Sequence, residues 1–78
     1  MSSMKELSEK VGNLTKANQA LLDKAEREQG GQLTAEQEQE WDARDKDIDA
    51  TLASIESIKK QNLRVDKMKS LLELADKP

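Results

Sequence analysis

Between Met4 and Ala25 the apolar residues Met4, Leu7, Val11, Leu14, Leu21 and Ala25 recur mostly at spacings of three and four, and only Asn18 interrupts the row. Such a row lies on one side of an α-helix and forms the seam of a coiled coil. Gly12 lies off the seam and weakens this helix by about 1 kcal/mol relative to alanine. Gly30 and Gly31 follow. A glycine adopts the left-handed conformation that ends a helix without steric cost, so the first helix is predicted over residues 4–29 and a turn over 30–33.

Thr34 is the next N-cap, with Gln37 three residues on to complete a capping box and Glu36 and Glu38 in the first turn, where the helix dipole favours anions. From there to Ala75 the chain has no glycine or proline. The second helix is therefore predicted over 34–75, at about 60 Å against about 40 Å for the first. The expected fold is all-α: an antiparallel two-helix hairpin with a longer second helix, forming a single domain over 1–78 that oligomerises through coiled-coil contacts.

Folding the helices back about the turn brings together residues whose numbers sum to about 62 or 63. Met4 then meets Ile58, Leu7 meets Ile55, Val11 meets Leu52 and Leu14 meets Ile48. Trp41, the one aromatic residue, lands opposite Leu21 and Leu22, where its ring would close the thin core near the turn. Asn18 lands opposite Asp45, a polar pair suited to fixing register at some cost in stability.

The second helix overhangs. Beyond Gln61 it carries Leu63, Leu71 and Leu74 besides a stripe of Val65, Met68, Leu72 and Ala75 that nothing in the same hairpin can cover. Either the helix breaks near Gln61 and Asn62 and folds back, or another chain supplies the cover. The stripe is the expected self-association surface.

Composition narrows the chemistry. The 78 residues include no cysteine and no histidine, which removes disulfides, thiol nucleophiles, the usual zinc ligand sets and the commonest general base. With 35% apolar and 37% charged residues, the chain is composed like a long helix rather than a compact enzyme. The expectation is a non-enzymatic protein with no cofactor. No apolar run is long enough to cross a bilayer and "MSSMKELSEK" lacks the apolar centre of a signal peptide, so a cytosolic location is expected.

Net charge is −3, distributed as five basic against five acidic groups in residues 1–29, two against seven in 30–49 and six against four in 50–78. Lys59, Lys60, Arg64, Lys67 and Lys69 lie in the basic part without aromatic interleaving or an arginine cluster, so nucleic acid is disfavoured as a partner. Asp45, Asp47, Asp49 and Glu56 occupy the first, third, fifth and twelfth positions of an EF-hand loop. Ala50 stands where that loop needs glycine, and Ile48, Leu52 and Ile55 belong to the hairpin seam, so the carboxylates read as a solvated helix face.

The phrases "LLDKAE" at Leu21–Glu26, the glycine turn, "LTAE" at Leu33–Glu36, the aromatic–acidic pair Trp41–Asp42 and the isoleucine-rich helix Ile48–Ile58 come in a fixed order. In that order they resemble the N-terminal delta, or scaffolding, domain of tailed-bacteriophage major capsid proteins of the Hong-Kong-ninety-seven type. The resemblance covers residues 4–65. It implies a domain that lies inside the forming shell in the host cytoplasm, promotes procapsid assembly through self-association, and is removed by the phage maturation protease. The partners it implies are other copies, the capsid shell domains and that protease. The shell domain that follows in the family is absent here, so the resemblance implies an excised, released or separately made scaffold. A stand-alone coiled-coil adaptor that binds a partner helix through Val65–Ala75 would share the same pattern.

Overall fold

The computed structural model describes residues 3–76, which form two helices, α1 over Met4–Glu28 and α2 over Ala35–Ala75, packed against each other as an antiparallel hairpin. The molecule is a rod of 71 × 19 × 17 Å. Its radius of gyration is 20.0 Å, against about 11.5 Å for a compact chain of this length.

Local chemistry sets the ends of both helices. The Ser3 hydroxyl accepts from the Glu6 N–H at 3.1 Å and caps α1. At the other end, Gln29 and Gly31 both donate to the Ala25 carbonyl, at 2.8 and 2.9 Å. Gly30 and Gly31 have φ values of 66° and 88°, in the left-handed region where a side chain is strained. Thr34 and Gln37 form the capping box: the Gln37 N–H donates to Thr34 Oγ1 at 3.2 Å, and the Thr34 N–H donates to Gln37 Oε1 at 2.8 Å.

The tip is closed by a pair of amides. Gln29 Nε2 donates to Gln37 Oε1 at 2.9 Å, Gln37 Nε2 returns a bond to Gln29 Oε1 at 3.2 Å, and Gln29 Nε2 also reaches the Gln32 carbonyl at 2.8 Å. This ties the end of α1 to the start of α2 without apolar burial. Trp41, expected to plug this end of the core, is only half-buried.

Along α2 the residues turned toward α1 are Gln37, Trp41, Arg44, Ile48, Thr51, Ile55 and Ile58, an unbroken alternation of four and three. Two expected seam positions are therefore wrong by one residue. Asp45 is exposed and Arg44 takes its place, donating from Nη1 to Asn18 Oδ1 at 3.3 Å. A guanidinium suits that site because it is donor-only and Asn18 offers an acceptor, whereas a carboxylate would set oxygen against oxygen. Leu52 is 44% exposed, and Thr51 is buried in its stead, its hydroxyl satisfied by the Asp47 carbonyl at 2.7 Å. One step along a helix is about 100°, so a seam can hold Thr51 or Leu52 but not both.

The core is thin. Ala25 and Ile55 are its buried apolar residues among those described, with Asn18 and Thr51 buried beside them. Met4, Leu7, Val11, Leu14, Leu21, Ile48 and Ile58 are half-buried. Lys10 and Asp47 add an ion pair between the helices at 3.0 Å, half-exposed and so worth little.

Candidate association surface

α1 begins at Met4, and beyond Ile58 α2 runs on with no other helix of the described residues beside it. The helix neither breaks nor folds back at Gln61 and Asn62, and α2 is continuous to Ala75. The stretch from Lys59 to Ala75 projects about 25 Å past the hairpin.

This overhang carries most of the exposed large apolar side chains. Leu63, Met68, Leu71, Leu72 and Leu74 are each 52–69% exposed, and Val65 is half-buried. Of the predicted stripe Met68, Leu72 and Ala75 are thus uncovered and Val65 is partly so, and Leu71 joins Met68 and Leu72 in a shallow apolar hollow bordered also by Arg64 and Lys67. The stems of Arg64 and Lys67 extend that apolar surface while their charged ends stay in water.

The overhang does not simply continue the hairpin seam. Carried on from Ile58 at alternating four and three, the seam would pass through Asn62, Val65, Lys69 and Leu72, of which half are polar. Met68 and Leu71 lie to one side of that line, so the apolar face of α2 turns about its axis as it leaves the hairpin. A face that turns this way suits a neighbour placed differently from α1.

The folded chain exposes 6335 Å², about a third more than the roughly 4800 Å² of a compact monomer of its mass. The excess belongs to a shape that leaves a helix end without cover. No helix among the described residues is long and apolar enough to cross a membrane. The run from Asp45 to Glu56 is continuous α-helix, which strings its carboxylates out along about 16 Å of the axis instead of gathering them into a loop. What the arrangement presents is an apolar helix end without cover among the described residues.

The chain belongs to the class of all-α antiparallel hairpins with a one-helix extension. No protein-family model matches it, and neither a curated protein nor a solved structure shows significant similarity to it.

Proposed function

We propose that the chain is a non-enzymatic scaffolding module: it self-associates through the α2 overhang and thereby brings together whatever larger domains are joined to it. The observation that carries this reading is the continuous projection of α2 past α1, with Met68, Leu71 and Leu72 more than half exposed on it. Weak contacts of this kind raise the local concentration of attached domains and still let wrong geometries dissociate. The motif order from Leu21 to Ile58 points to phage procapsid assembly in the host cytoplasm as the setting, with capsid shell domains as the attached cargo and the maturation protease as the agent of later removal.

The test is the oligomeric mass of the chain across a dilution series, compared with a Val65→Gln/Met68→Gln/Leu72→Gln variant. Glutamine is a good helix former, so helicity of the hairpin should persist while association weakens at least tenfold. An unchanged mass for the variant at every concentration would place association elsewhere. The phage setting is tested separately, by asking whether the same triple change in a capsid protein carrying this segment blocks shell assembly while the subunit still folds. Assembly at the parental level would remove it.

A further inference from the structure

The charge of α2 is divided along its length in a way the hairpin does not use. Residues 35–57 carry eight acidic and two basic groups, while residues 58–76 carry three acidic and five basic. Size is divided too. On the outer face of the first half stand Ala43, Ala50, Ser54 and Ser57, all exposed, with the half-buried Asp47 between the first two, and on the same strip of the second half stand Arg64, Met68, Leu71 and Ala75. Successive members are three, four or seven residues apart, so they form one line along the helix. That line lies on the side away from Trp41, Ile48 and Ile55, where α1 packs.

We infer that two copies pair antiparallel through these outer faces of α2, each laying its overhang on the first half of the other's α2 about a two-fold axis beside Ile58 and Lys59. This rests on the self-association reading above and supplies its geometry. Reversal sets the large Met68 of one copy over Ala50 of the other and Arg64 beside Ser54, with Ala75 beside Ala43 and Leu71 beside Asp47. The apolar hollow bordered by Met68, Leu71 and Leu72 is thereby covered. In the same register Asp49 and Glu56 lie two residues along the axis, about 3 Å, from the second copy's Lys67 and Lys60, within reach of those long side chains, and the two-fold repeats both pairs. All four groups are exposed in the single chain. A parallel pair would instead press the acidic half of one helix against the acidic half of the other. Ion pairs of this kind add little affinity, but they select orientation.

The chain contains no cysteine, so a disulfide can report the pairing. Ala43→Cys and Ala75→Cys variants, one of them isotope-labelled, are oxidised separately and as a mixture, and the unaltered chain is sedimented beside them. Each variant carries a single cysteine, so every disulfide formed joins two chains. The pairing predicts a mixed 43–75 dimer as the main product of the mixture and little dimer from either variant alone. A dimer linked mainly 43–43 or 75–75, or one that sediments as a dimer yet links at neither position, overturns the antiparallel geometry and leaves self-association standing. A monomer at every concentration overturns both.

Discussion

Residues 35–58 and 59–75 are two parts of one helix, similar in helix-forming composition, and they meet opposite surroundings. In the first part a residue such as Ile55 is 8% exposed, because α1 lies against it. In the second, Leu63 is 69% exposed and Leu74 65%, although leucine is as apolar as isoleucine. Burial is thus set by where α1 begins rather than by residue type. One helix is thus divided, with the paired part holding the fold and the unpaired part leaving its apolar side chains in water.

The largest single effect should come from the paired part. Ile55→Ala removes a buried side chain from a core with few others, and about 3 kcal/mol of destabilisation is expected as a fall in the thermal midpoint. The same truncation at Leu63 should cost under about 0.5 kcal/mol in a dilute monomer. Equal losses at the two sites would erase the contrast.

Trp41→Ala comes next, at about 2 kcal/mol. The ring is half-buried and its loss is shared with solvent, so the effect falls below that of a fully enclosed tryptophan. Gly30→Ala should cost about 1–2 kcal/mol at the tip, because φ of 66° strains any side chain although the space beside it is open. Chemical denaturation of each variant measures both. A neutral Gly30→Ala would mean the turn relaxes out of the left-handed region.

One small effect has the opposite sign. Gly12 sits inside α1 with nothing within 4 Å of where a Cβ would stand. Gly12→Ala should therefore stabilise the hairpin by about 0.5–1 kcal/mol through the unfolded chain's lost freedom. A decrease in stability would show that α1 is packed more tightly there than the open space implies.

Much of this division can be read in the residues before any coordinates. The Gly30–Gly31 turn and the Thr34–Gln37 box are local signals, and each acts within a few residues of itself. The overhang follows from two helix lengths that do not match. Register was harder. Arg44 and Thr51 hold seam positions because Asn18 and the Asp47 carbonyl satisfy them, and such satisfaction is invisible to a pattern of apolar residues. Leu52 then misleads by being apolar one step away. The Gln29–Gln37 amide pair was missed for the same reason, since two glutamines at a turn carry no apolar signal. The apolar hollow shares Met68 and Leu72 with the expected stripe but includes Leu71 and leaves out Val65 and Ala75.

The central claim is that the hairpin part of α2 is held by its own chain while the overhang depends on a second copy. Amide hydrogen exchange across a protein dilution series measures this residue by residue. The account predicts that protection over residues 41–58 stays constant while protection over residues 60–75 falls as the protein is diluted, because an uncovered helix end is marginal on its own. Overhang protection that does not change with concentration, or protection lost in both parts together, would contradict it.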